Sequence, residues 1–178
     1  STVPVESKGH LDLVTAADQE VEQFLTDGLG AAFPEDGVFG EEGAAHDGSS
    51  GRSLVVDSIV GTFNFVRGGD QWAISIGLYE AKRPIFGVIF APVRAQLLVG
   101  GVGAPSTLNG QPMAHRSGLD RSRASCGVGF HPVIPVEHRL ETLRFVMQDA
   151  GMSFRCCGSA TLSLIEVALG QGDGYLGM

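Results

Sequence analysis

A carboxylate and a glycine–threonine step stand close together in the run Val55-Val56-Asp57-Ser58-Ile59-Val60-Gly61-Thr62-Phe63-Asn64-Phe65. Leu54, Val55 and Val56 are apolar and two of them β-branched, the composition of a buried strand. Asp57 is therefore expected at the C-terminal end of that strand, the edge at which layered α/β folds collect ligands. Gly61 allows the backbone to come close to a bound group. If Thr62 opens a helical turn, its N–H groups face an anion. A carboxylate for a cation beside amides for an anion is the chemistry of a metal-bound phosphate.

Three other groups bear on that chemistry, each with an ordinary structural role of its own. Asp18 lies three residues after Thr15, the spacing of a capping box at a helix N-terminus. Glu41 and Glu42 follow Gly40 at the end of a short apolar stretch, where paired acids commonly face solvent. Gly158-Ser159-Ala160 places a hydroxyl where it would cap the helix that follows.

The elements that must position these residues follow from local pattern. A helix is predicted from about Ala16 to Leu29, with Val21, Phe24, Leu25 and Leu29 as its apolar stripe and Gly30 as its stop. Phe33–Gly37 reads as a turn, Val38-Phe39-Gly40 as a short strand, and residues 43–52 as a flexible polar loop in which His46 is solvated. Alternation from Trp72 to Tyr79 starts a β-meander that turns at Lys82-Arg83-Pro84 and runs on through Ile85–Phe90 and Gln96–Val99. Asn109-Gly110 marks a hairpin turn. Arg116 to Arg123 is polar and reads as a seam. Beyond it come a strand over Ala124–Phe130 and a helix over Val136–Ala150 with Leu140, Leu143, Val146 and Met147 on one face. A strand at Phe154–Cys157, the capped helix after Ser159 and a last strand near Tyr175 complete the chain. His131 and His138 lack zinc-site spacing.

Composition narrows the class. The chain has 178 residues, enough for one domain or two small ones, with 43% hydrophobic and 18% charged residues, as expected of a globular protein. No apolar run reaches the roughly 18 residues of a membrane span, and no secretory leader is apparent. A net charge of −8 disfavours nucleic acid as principal partner. Three cysteines make no disulfide framework, which suggests a reducing, cytoplasmic setting.

Asp57-Ser58-Ile59-Val60-Gly61-Thr62 resembles the Asp-Pro-Ile-Asp-Gly-Thr signature of the inositol monophosphatase family of magnesium-dependent phosphatases. Asn64-Phe65-Val66-Arg67-Gly68 and Trp72–Leu78 are similar to the family's flanks, as are Asp12–Asp18 and Gly40-Glu41-Glu42. The resemblance implies an α+β fold, layered αβαβα and sugar-phosphatase-like, with a mostly antiparallel sheet flanked by helices. Residues 1–110 would form a metal-binding portion and 111–178 an incomplete α/β portion. It implies Mg²⁺ held by Glu41, Asp57 and the Ile59 carbonyl. Asp18 and Thr62 would orient the attacking water, and Gly61, Thr62, Gly158, Ser159 and Ala160 would contact substrate. The partner would be a small phosphorylated metabolite: an inositol phosphate, histidinol phosphate, sugar phosphate or nucleotide phosphate. Neither membrane nor nucleic acid is expected, and a homodimer is.

Two departures from the pattern weigh on activity. Val60 stands where the signature has a second metal-binding Asp, and the family's later metal-binding segment is absent from these residues. A weakly active or inactive phosphatase is expected. Two further readings stay open: a catalytically impaired relative acting as a binding or regulatory protein, and an α/β domain of another role.

Overall fold

The computed structural model describes residues 5–9, 12–113 and 122–178. Strands β1 (Val5–Gly9) and β2 (Asp12–Thr15) pair antiparallel and lead into helix α1 (Ala16–Ala32). Next come β3 (Gly37–Gly40), β4 (Ala45–His46), β5 (Arg52–Val60) and the short helix α2 (Thr62–Val66). The meander is β6 (Ala73–Glu80), β7 (Arg83–Ala91), β8 (Gln96–Gly101), β9 (Ala104–Leu108) and β10 (Gln111–Pro112). After the predicted seam, most of which lies outside the described residues, follow β11 (Ser125–Gly129), α3 (Val136–Arg144), β12 (Ser153–Arg155), α4 (Ala160–Ala168) and β13 (Gly174–Gly177).

Among the described residues these strands form an eight-stranded sheet ordered β10-β9-β8-β7-β6-β5-β3-β4 and a three-stranded sheet ordered β12-β11-β13. The large sheet is antiparallel except where β3 runs parallel to β5, and the small sheet is parallel throughout.

Side-chain alternation sets the layers. Leu54 and Val56 of β5 face α1, where Val38, Ile76 and Leu78 pack with Leu25 and Leu29. Ala73 and Ala91 point to the opposite face and bury Leu162 and Ile165 of α4, together with Ile89 and Leu98. Burying an aliphatic side chain of this size contributes about 1.5–3 kcal/mol. Helix α4 also touches β13, and Gly127 of β11 leaves room for Ser163 beside it. On the far side of the small sheet, Cys126 and Val128 pack against Val146, Leu143 and Met152. The order is helix, sheet, helix, sheet, helix, the α+β layering anticipated above.

Local expectations met four corrections. Helix α1 does not stop at Gly30. It runs to Ala32 and closes with the Phe33 N–H on the Leu29 carbonyl at 2.8 Å. Gly30 serves instead as a buried contact, since a Cβ there would lie 3.4 Å from the His46 ring. His46 is accordingly half-buried in β4, within the segment expected to be loop. Phe24, assigned to the apolar stripe, is 77% exposed, and the fully buried row is Asp18, Glu22, Thr26 and Gly30. In the second half, Leu140 and Met147 are exposed while Val146 is buried. The helix loosens into a π-helical turn at Phe145–Asp149, which changes the phase of the face.

Candidate active site

Strand β5 ends in an irregularity. Asp57 pairs with Ser75 and Val60 with Ala73, so three steps along β5 match two along β6. Such a bulge takes a residue out of the ladder and re-aims its neighbours. Gly61 then turns the chain with φ of 114°, a conformation open to glycine, and Thr62 begins α2 as anticipated. The close approach at Gly61 is made by protein: a Cβ there would lie 2.7 Å from the Gln71 carbonyl oxygen and 3.2 Å from that of Gly158.

The turn brings Thr62 to Asp18. The Thr62 hydroxyl lies 3.3 Å from Asp18 Oδ1 and 3.2 Å from the Ile59 carbonyl oxygen, so its proton is shared between two acceptors. Asp18 is 3% exposed. Its Oδ2 accepts from the Thr15 N–H at 2.8 Å and from the Thr15 hydroxyl, and the Asp18 N–H donates to Thr15 Oγ1 at 3.3 Å, closing the capping box. One carboxylate thus caps α1 with one oxygen and meets Thr62 with the other. Ser58, 2% exposed, donates to the Asp18 carbonyl at 3.0 Å and ties β5 to the start of α1.

Glu41 leaves the end of β3 next to Asp57, its N–H donating to the Val56 carbonyl at 3.2 Å. Asp57 is half-buried, and its pKa is pushed up to about 7. Burial is the leading cause, followed by repulsion from Glu41, a hydrogen bond with Glu41, and repulsion from Asp18 and Glu42. Every neighbour that shifts it does so upward, and none is basic. Crowded carboxylates of this kind gain when a divalent cation replaces the shared proton, and the hard oxygen donors suit Mg²⁺. Among the described residues no group of three or more His, Cys, Asp or Glu side chains has metal-holding geometry. The two carboxylates meet here, and Ile59 lies within the bulge with its carbonyl accepting from the Thr62 hydroxyl.

Gly158, Ser159 and Ala160 meet this site from the small-sheet side. The Ser159 hydroxyl donates to the Val60 carbonyl at 2.7 Å and caps α4 by accepting from Leu162 N–H at 3.5 Å. Asn64 donates to the carbonyls of Gln71 at 2.7 Å and Cys157 at 2.9 Å. Beyond them opens a cavity of about 430 Å³ at the C-terminal ends of β11 and β13, reached by Phe130, His131, Ser159, Ala160, Tyr175 and Gly177. Tyr175 fits because a Cβ at Gly129 would strike its hydroxyl and one at Gly177 would lie 2.9 Å from its ring. Burial raises the Tyr175 pKa, with Cys157 and Cys156 adding to it. Among the described residues no Asp, Glu, Lys or Arg lines the cavity.

Sequence reasoning missed Glu22, Ser58, Asn64 and Tyr175. Glu22 shares a face of α1 with Asp18, but its partners lie twenty or more residues on and nothing nearby marks it as internal. Asn64 and Tyr175 gave no local sign of their partners.

An eight-stranded, mostly antiparallel sheet and a three-stranded parallel sheet with helices between and outside them define an α+β protein of layered αβαβα build. The sequence profile of the inositol monophosphatase family matches residues 2–178, and the chain belongs to that family. It is 34% identical to inositol monophosphatase 3 of Solanum lycopersicum over 97% of this chain and 66% of that protein. The crystal structure of the extragenic suppressor protein SuhB from Bartonella henselae superposes with a TM-score of 0.89 at 28% identity, covering 98% of this chain and 68% of that one. An IMPase/NADP phosphatase complexed with Mg²⁺ and phosphate shares the fold at a TM-score of 0.80 and 24% identity, over 99% of this chain and 66% of that one. This chain spans between 61% and 66% of the length of the curated relatives it matches.

Proposed function

We propose that the protein is a Mg²⁺-dependent phosphatase of a small phosphate monoester, its metal held by Glu41, Asp57 and the Ile59 carbonyl. The observation that carries this reading is the meeting of Glu41 and Asp57 with no basic side chain among the groups that shift Asp57. A solved protein of the same fold, complexed with Mg²⁺ and phosphate, supports it. When bound, Mg²⁺ offsets charge on the phosphoryl oxygens and lowers the pKa of a coordinated water.

The chain's own residues would act around that charge. Thr62 would take a proton from the attacking water as its own proton passes to Asp18 Oδ1, 3.3 Å away. The new oxygen–phosphorus bond forms as the ester oxygen leaves with the bonding pair and takes a proton from solvent. Gly61 and the first N–H groups of α2 would hold the phosphate, and Gly158, Ser159 and Ala160 the leaving alcohol. A described lining without Asp, Glu, Lys or Arg favours an alcohol of low charge among inositol, histidinol, sugar and nucleotide esters. This reading also divides the chain near residue 110, places it in the cytoplasm and pairs it as a homodimer.

Val60 supports a second reading, a binding or regulatory protein with impaired catalysis, because a valine supplies no oxygen to a second cation. Assaying the full-length protein against a panel of phosphate esters, with Mg²⁺ and with chelator, separates the two. The phosphatase reading expects release that stops when Mg²⁺ is removed and rises more than about tenfold in Val60→Asp, ~1.4 kcal/mol of barrier. Mg²⁺ binding without release from any ester, in either form, overturns it in favour of the binding protein.

A further inference from the structure

The buried row of α1 contains an acid that the reaction outlined above does not use. Glu22 is 1% exposed. Its Oε2 accepts from the Glu42 N–H at 2.7 Å and its Oε1 from the Ala44 N–H at 2.9 Å. Among the described residues no salt bridge reaches it, so these amides are the partners that hold its carboxylate. Hydrogen bonds to an ionised acceptor are shorter and about twice as strong as neutral ones. The loop is tied again by the Gly40 N–H on the Ala44 carbonyl at 2.8 Å and by the Glu41 N–H on Val56. Gly40 is needed for the approach, because a Cβ there would collide with the Glu22 carboxyl.

We infer that Glu22 is a positioning residue for Glu41: its buried carboxylate clasps the amides on the C-terminal side of Glu41 and so fixes where Glu41 meets Asp57. An apolar residue would fill the row on α1 without the cost of burying a charge. It could not hold two N–H groups in a tight loop. Both carboxylate oxygens are acceptors, so the amide of glutamine cannot replace them; its NH₂ would face one of the loop N–H groups. The inference rests on the reading of Glu41 and Asp57 as a Mg²⁺ site.

The test is calorimetric Mg²⁺ titration of the full-length protein, Glu22→Gln, Gly40→Ala and, as a control on the exposed side of the same helix, Glu20→Gln. Thermal melts and far-UV circular dichroism are recorded alongside. Weakening a group that orients a metal ligand lowers metal affinity about 10- to 100-fold. That loss is expected in Glu22→Gln and Gly40→Ala with folding retained, and no change in Glu20→Gln. Amide hydrogen exchange on the unmodified, metal-free protein adds a readout that needs no variant: the Glu42 and Ala44 amides are expected to be protected before Mg²⁺ is added. Unchanged Mg²⁺ affinity in folded Glu22→Gln, or rapid exchange at both amides, overturns the clasp while leaving the metal site standing. Absence of Mg²⁺ binding by the unmodified protein overturns the metal reading and the positioning role with it.

Discussion

Among the described residues, Asp57 is the acid whose titration its surroundings raise. With no cation bound, burial and the facing Glu41 raise its pKa to about 7, above the ordinary carboxylate value. An acid raised in the folded state contributes its full stabilisation below the unfolded pKa and loses it as pH climbs through the folded one. The Asp57 contribution to metal-free stability therefore declines between about pH 4 and pH 7. Asp36 acts in the opposite sense: a hydrogen bond from Ser50 and the Arg52 guanidinium lower its pKa against the effect of burial. Its contribution is present at neutral pH and lost in stronger acid. We expect the melting temperature of metal-free protein to fall from pH 5 to pH 8, and Asp57→Asn to remove that slope. Mg²⁺ affinity should rise over the same interval as the shared proton is given up, measurable by calorimetry at each pH. A flat stability profile for the unmodified protein would contradict the raised pKa.

At the scale of elements, α4 joins the two sheets, and its worth can be read from one side chain. Leu162 is fully buried against Ala73 and Ala91 on the large sheet. Leu162→Ala should cost about 2–5 kcal/mol in denaturant unfolding, transfer loss plus the cavity left behind. Leu164, on the same helix and 45% exposed, should cost far less. Elements decided by near neighbours were legible in the sequence. The Thr15–Asp18 capping box spans three residues, the meander strands alternate cleanly, and Ser159 caps its own helix. The buried face of α1 was not legible, because Glu22 is paired by a loop twenty residues on, and no local pattern marks an acid as internal. The π-helical turn after Arg144 was equally hidden. It shifts which side chains face β11 without any glycine or proline to announce it.

Across the whole molecule, the candidate site is a seam between two sheets, and two polar ties close it. Ser159 reaches the Val60 carbonyl, and Asn64 bridges the carbonyls of Gln71 and Cys157. The signature stretch lies in one half of the seam, where Thr62 meets Asp18 and Asp57 meets Glu41. The ties across the seam span more than ninety residues and leave no trace in local composition. Asn64→Ala should leave two carbonyls short of a donor, a loss of about 1–3 kcal/mol if neither finds water. Because the bridge spans the seam, exchange should quicken at residues 157–160 while the amides of β6 and β7 keep their protection. Uniform loosening of both sheets would show that Asn64 supports the fold at large.

The parallel pairing of β11 with β13 has a consequence for the order of assembly. Glu41, Asp57 and Ile59 all precede the meander, whose hairpins close over short stretches of chain. The small sheet cannot settle until Gly174–Gly177 has been synthesised and threaded beside Ser125–Gly129, a contact of long sequence separation and correspondingly slow formation. A nascent chain would then bring Glu41 beside Asp57 well before the cavity at the ends of β11 and β13 has walls.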